Sequence, residues 1–142
     1  MYLLDTNICV ALLKQNALAV GKFNATRFCY LSTIVVAELY KGVYCSGRRW
    51  QNLSRPLAKV AQYCHQIIDG GHCPPYSKTW AAEEFGKIQA ELRRIGKPTG
   101  ELDAIIAAVA RSRQDILVTN NTRHFVNISG LQFENWLEPW NG

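Results

Sequence analysis

The sequence has no apolar run approaching the roughly 18 residues needed to span a bilayer, so no membrane helix is expected. Its five cysteines include no C-x-x-C pair, which removes the common zinc and redox signatures. Cys9, Cys29, Cys45, Cys64 and Cys73 are odd in number and widely spread, a pattern of reduced thiols more than of a disulfide framework. Cys9, Cys29 and Cys45 fall in apolar runs, where a free thiol is a small core residue. The first residues lack a basic segment and carry Asp5 among their apolar neighbours, which argues against a secretion signal. The expectation is a soluble, cytoplasmic protein. Repeats, low-complexity tracts and linkers are missing too. So are the phosphate loops GxxxxGK and GxGxxG and the Ser-centred nucleophile elbow. Acids are scarcer than bases, 11 against 16, for a formal net charge of +5. That surplus favours polyanionic partners, nucleic acid or an acidic protein.

What is present describes a folded α/β domain. The 142 residues are 48% hydrophobic and 19% charged, enough for one domain with a sizeable core. Tyr2–Leu4 reads as a short buried strand, Asn7–Gln15 and Ala17–Ala25 as helices, and Phe28–Leu31 as a second strand. Ser32 and Thr33 cap the apolar helix IVVAELYKGVY, and a longer helix is expected from Arg48 to Ile68, with Pro56 complicating its first part. A third strand, irregular or at an edge, is placed in DGGHCPPYS. SKTWAAEEFGKIQAELRRIG is a helix with Trp80, Phe85, Ile88 and Leu92 near one face, stopped by Gly96. ELDAIIAAVARSR is another helix, ILVT a strand, and Leu131–Phe133 a last short strand. Strands alternating with helices predict a mainly parallel sheet flanked by helices, a single domain over residues 1–142.

In such sheets, sites form beyond the carboxyl ends of the strands. Asp5 and the run Thr119-Asn120-Asn121 both fall there. Most of the eleven acids have a structural account: Glu83, Glu84 and Glu91 read as a solvated face with i,i+4-type partners, and Asp69 and Asp115 as turn residues. Three acids do not fit that pattern. Asp5 ends a buried strand, Glu38 interrupts an apolar helix, and Asp103 lies in the first turn of another. Each also has a bland reading: Asp5 as a helix cap, Asp103 as a helix-start acid, Glu38 as a surface partner of Lys41. Three carboxylates around one cleft stay ionised only beside a cation, and oxygen ligands without a His/Cys set favour Mg²⁺ or Mn²⁺. On a basic protein this is equipment for metal-assisted phosphodiester hydrolysis.

Other constellations are weaker. Cys64-His65 and His72-Cys73 match no familiar zinc spacing. Arg93, Arg94 and Lys97 complement a helix C-terminus, or join Arg123 and His124 as a phosphate-binding rim. Trp50 and Trp80 read as core or interface, and Trp136 and Trp140 as residues that could pack as a lid.

LLDTN, VVAELYKG, GELDAIIAAVARSR and LVTNNTRHF…GLQFENW, in this order and spacing, resemble a PIN-domain ribonuclease. More narrowly they resemble the VapC toxins of bacterial VapBC toxin–antitoxin systems, over essentially the whole chain. The resemblance implies a three-layer α/β/α sandwich and a Mg²⁺-dependent endoribonuclease, with Mn²⁺ as a substitute. It implies a VapB-type antitoxin and a homodimer as partners. Asp5, Glu38 and Asp103 map onto the family's acidic metal-binding residues. Its fourth acidic position falls on Asn121, a departure that weakens the case for a second metal, and Glu101 could partly substitute. Thr6 and Thr119 match polar supporting positions. The pattern RxGxPxG…D with TNNTRxF points to cleavage of initiator tRNA in the anticodon loop. Two rivals stand beside this reading. One is a phosphatase with Asp5 as covalent nucleophile, which would want an acid where this chain has Asn7. The other is a non-catalytic PIN-like module that binds RNA or protein.

Overall fold

The computed structural model describes residues 1–26, 28–45, 58, 66–68 and 81–139. Five strands, β1 (Tyr2–Leu4), β2 (Cys29–Ser32), β3 (Gln66–Ile68), β4 (Ile116–Val118) and β5 (Gln132–Glu134), form one sheet in the order β3-β2-β1-β4-β5. Every pairing is parallel. Leu3, Leu4, Leu117 and Val118 are fully buried, as expected of central parallel strands covered on both faces. The helices are α1 (Thr6–Leu13), α2 (Ala17–Ala25), α3 (Thr33–Cys45), α4 (Ala81–Arg94) and α5 (Glu101–Arg113), with a 3₁₀ turn at Thr122–His124. This is the expected α/β architecture.

Local chemistry sets the helix ends. Asn16 caps α2 by accepting from the N–H groups of Leu18 and Ala19, both at 3.1 Å. Ser32 Oγ accepts from Val35 N at 3.2 Å at the start of α3. Gly96, at φ +65°, takes the left-handed turn that ends α4, as its sequence position suggested. Among the described residues no helix is long and apolar enough to cross a membrane.

Three expectations need correction. The helix expected to run to Ile68 does not, because Gln66–Ile68 is a strand paired with Tyr30–Ser32. Ala58 is helical, while the rest of 48–65 and the stretch 69–77 that was to hold the third strand lie outside the described residues. Glu84 is not on a solvated face. It is 8% exposed and bonds Arg111 Nε at 2.6 Å, while Lys87 Nζ donates to it at 3.1 Å. Arg111 also donates to Glu91 at 3.0 Å and to the Ser129 carbonyl at 2.9 Å, which fastens α4 to α5. Burial pushes the Glu84 carboxyl up, but the hydrogen bonds and charges of Lys87 and Arg111 outweigh it and hold it below its ordinary range.

Trp136 is no lid. It is 1% exposed, packs its ring 5.7 Å from that of Tyr2, and donates from Nε1 to Glu134. Trp50, Trp80, Trp140 and the Cys64-His65 and His72-Cys73 pairs lie outside the described residues.

Candidate active site

Strand order reverses at β1: β2 and β3 continue to one side, β4 and β5 to the other. The crevice beyond the carboxyl ends of β1 and β4 is therefore the topological switch point, where ligands of open α/β sheets bind. Asp5 and Thr119 are the first residues past those two strands, and Asp5 N–H donates to the Val118 carbonyl at 2.9 Å, fixing the edges together.

Asp5 is both cap and site residue. Its Oδ1 accepts from Thr6 N at 2.7 Å at the start of α1. Its Oδ2 accepts from Thr119 Oγ1 at 2.7 Å and from Asn7 Nδ2 at 2.8 Å. The carboxyl is 4% exposed, and burial raises its pKa above the ordinary 3.8. The Thr119 and Thr6 bonds oppose that rise, while the charges of Asp103 and Glu38 add to it. Asp5 thus feels the charges of the other two acids singled out by sequence.

Glu38, from α3, accepts a short bond from Thr6 Oγ1 through Oε2. Asp103, in the first turn of α5, has Oδ2 2.7 Å from His124 Nδ1. Asn121 Nδ2 lies 2.7 Å from the same ring nitrogen, and Asn121 N–H donates to Thr119 Oγ1 at 3.0 Å. Among the described residues Asn121 thus meets His124 and Thr119 and makes no bond to a carboxylate. Glu101 is exposed and bonds none of the three acids. Of the basic residues, Lys97 and Arg123 line a cavity of about 300 Å³ together with His124, Asn127 and the loop 96–100. Arg93 and Arg94 are exposed in the last turn of α4 and do not line it.

Two contributors were missed in the sequence. Asn7 donates from Nδ2 to Asp5 and, at 3.3 Å, to Thr119 Oγ1, while its Oδ1 accepts from Asn120 N at 2.9 Å. His124, expected in a basic rim, does line the cavity with Lys97 and Arg123, and its ring also bonds Asp103, a role that the sequence does not show. The signal for Asn7 was present: a polar residue two positions past a buried strand-end carboxylate.

Among the described residues no three His, Cys, Asp or Glu side chains stand close enough to form a finished metal cage. The donors nevertheless fit a hard divalent cation. Asp5, Glu38 and Asp103 offer oxygen only, and the burial and, in smaller part, the neighbouring charges that raise the Asp5 pKa are a cost that a cation relieves.

A parallel α/β sheet with carboxylates at its switch point is the arrangement of a hydrolase that works on charged substrates with a metal. The PIN domain family matches residues 2–131. Ribonuclease VapC2 of Haemophilus influenzae is 38% identical over 139 residues, covering 96% of this chain and 98% of that protein. The tRNA(fMet)-specific endonuclease VapC of Shigella flexneri is 37% identical over 140 residues, with 95% and 97% covered. The structure of VapBC2 from Rickettsia felis, bound to a DNA fragment from its promoter, superposes with a TM-score of 0.82 at 31% identity, covering 95% of this chain and 98% of that one. The chain belongs to the PIN-domain family and, within it, to the VapC ribonucleases. Nucleases of this family generally depend on a divalent metal.

Proposed function

We propose that this chain is a Mg²⁺-dependent endoribonuclease that cuts tRNA, with initiator tRNA as its substrate and the anticodon loop as its target. In this reading it acts in the cytoplasm as the toxin of a toxin–antitoxin pair, works as a homodimer and is silenced by a VapB-type antitoxin. The observation that carries the chemistry is the buried Asp5 carboxyl, raised by burial and by the nearby charges of Asp103 and Glu38. The substrate assignment leans on the tRNA(fMet)-specific relative. The VapBC2 complex supports an antitoxin partner.

Asp5 and Asp103 would hold the metal, with Glu38 assisting. A divalent ion there supplies charge compensation and Lewis-acid polarisation of the scissile phosphate. The chain's own residues do the rest. Thr6, Asn7 and Thr119 occupy both oxygens of Asp5 and fix its orientation. Thr6 does the same for Oε2 of Glu38. Lys97 and Arg123, beside Asp103 through His124, attract the flanking phosphates of an RNA strand. A loop suits this crevice better than a stem, because its backbone and bases are unstacked and accessible.

The test is cleavage of purified tRNA by the isolated chain, with and without Mg²⁺, followed by sequencing of the RNA ends. We expect a single loop cut that EDTA abolishes, leaving a 5′-phosphate and a 3′-hydroxyl. Equal cutting of unstructured RNA would reject the tRNA assignment, and undiminished cutting in EDTA would reject the metal.

A further inference from the structure

We propose that His124 is a positioning residue that holds Asp103 through Nδ1, and that Asn121 serves the site by anchoring this histidine. The inference rests on the metal-dependent reading above. It begins from a conflict of hydrogens. His124 Nδ1 has two neighbours at 2.7 Å, Asp103 Oδ2 and the carboxamide end of Asn121. A ring nitrogen either donates one hydrogen or accepts through one lone pair. An ionised carboxylate only accepts, so Nδ1 must carry the hydrogen toward Asp103. A carboxamide N–H pointing at the same atom would then face a donor. Turning the Asn121 amide end by half a rotation resolves this, since its oxygen and nitrogen are alike in shape. Nδ1–H is then shared between Asp103 Oδ2 and Asn121 Oδ1.

The anchor is itself fixed. Asn121 N–H donates to Thr119 Oγ1 at 3.0 Å, and Thr119 Oγ1 donates to Asp5 Oδ2 at 2.7 Å. One line of bonds therefore runs from Asp5 through Thr119, Asn121 and His124 to Asp103. It joins acids from two elements, the end of β1 and the first turn of α5. Asp103 needs such support more than Asp5 does. Its helix begins at Gly100, which has no side chain to cap α5, and His124 is the one side chain that bonds Asp103 among the described residues. Oδ1 of Asp103 has no partner among them. Holding one carboxylate oxygen from outside while leaving the other for a cation is the ordinary way in which outer groups orient metal ligands. Asn121 is then a support two bonds from Asp103, which explains how a neutral residue can stand where a fourth acid is expected.

Titration of Mn²⁺ into the full chain without RNA, read as loss of the free-ion electron paramagnetic resonance signal, tests this directly. His124→Phe removes the Nδ1 donor and should weaken Mn²⁺ binding about tenfold or more. His124→Asn places an amide N–H close to the Nδ1 position and should restore most of the affinity. His124→Gln sets its amide one atom further out, at the Nε2 position, and should fail as the Phe variant does. His124 is only partly buried, so all three should melt with the wild type, and a variant that melts lower is judged against the other two. Phe binding Mn²⁺ as tightly as wild type, or Asn failing with Phe, overturns the inference and leaves the metal reading standing. A wild-type chain that binds no Mn²⁺ overturns both.

Discussion

Asp5→Asn should cleave RNA at least about 100-fold more slowly than wild type, a loss equivalent to ~2.7 kcal/mol of barrier, and yet melt no lower at pH 7 in EDTA. The activity falls because the substitution removes the charge from the carboxyl most enclosed by the site. The stability holds for the opposite reason. Burial lifts the pKa of Asp5 above 3.8, and the charges of Asp103 and Glu38 lift it further. A carboxyl that keeps its proton more tightly when folded contributes its full stability below pH 3.8. It loses that contribution as the pH rises through the raised folded value. At pH 7 the ionised Asp5 is therefore a cost, relieved by a neutral carboxamide that is an equally good helix cap. Melting curves of wild type and variant should converge as the pH falls toward 4. A variant that melts well below wild type at pH 7 would show that hydrogen bonds to the carboxylate, and not its burial, dominate this site. Full cleavage by the purified variant would remove Asp5 from the chemistry.

Arg111→Met should lower stability by about 3 kcal/mol, roughly 10 °C in melting temperature, while leaving the acidic site intact. Arg111 is the shared cation of Glu84 and Glu91 and also bonds the Ser129 carbonyl. Removing it leaves Glu84 buried with only Lys87 among the described residues, and the Lys87 side chain is itself 46% exposed. Lys87→Met should cost far less, since an exposed pair contributes little. The pH dependence runs opposite to that of Asp5. The folded Glu84 carboxyl sits below its ordinary range, so its stabilisation is complete above pH 4.5 and is lost as the pH falls through the lowered folded value. Arg111→Met should reduce that acid-side loss, Lys87 still lowering the carboxyl. Denaturant unfolding of the two variants at pH 7 and at pH 4 reads all of this. Equal stability of Arg111→Met and wild type would show that the network contributes nothing net.

The parts of this architecture carried by local pattern were legible before the structure. Leu3-Leu4 and Leu117-Val118 announce buried strands by composition, and Gly96 announces a stop. The alternation of elements places Asp5 and Thr119 at strand ends, which is enough to suspect a site. What stayed hidden depends on residues far apart in the chain. Gln66–Ile68 is three residues long, too short to display a period of two, and its strand character comes from pairing with Tyr30–Ser32. Glu84 shows its neighbour Lys87 at i+3, so it reads as solvated, but its stronger partner Arg111 lies 27 residues on. Trp136 looked peripheral because it follows the last strand, and only the Tyr2 ring shows it to be core. His124 has the same history: nothing local in TNNTRHF tells that its ring reaches Asp103, 21 residues earlier.

Because β1 lies between β2 and β4, the first of these five strands to be synthesised must wait longest for its second neighbour. Leu4 pairs with Val118, and Asp5 receives its Thr119 bond across 114 positions of chain. Contacts of such long range form late in folding. A nascent copy released before residue 116 would have β2 and β3 to pair with but no second wall for the crevice. It would hold Asp5 and Glu38 without Thr119, Asn121 or His124. The order of synthesis thus separates the making of Asp5 from the completion of its surroundings. A chain stopped before residue 116 is expected to cut no RNA, because the Thr119 bond that holds Asp5 forms only after β4 is made.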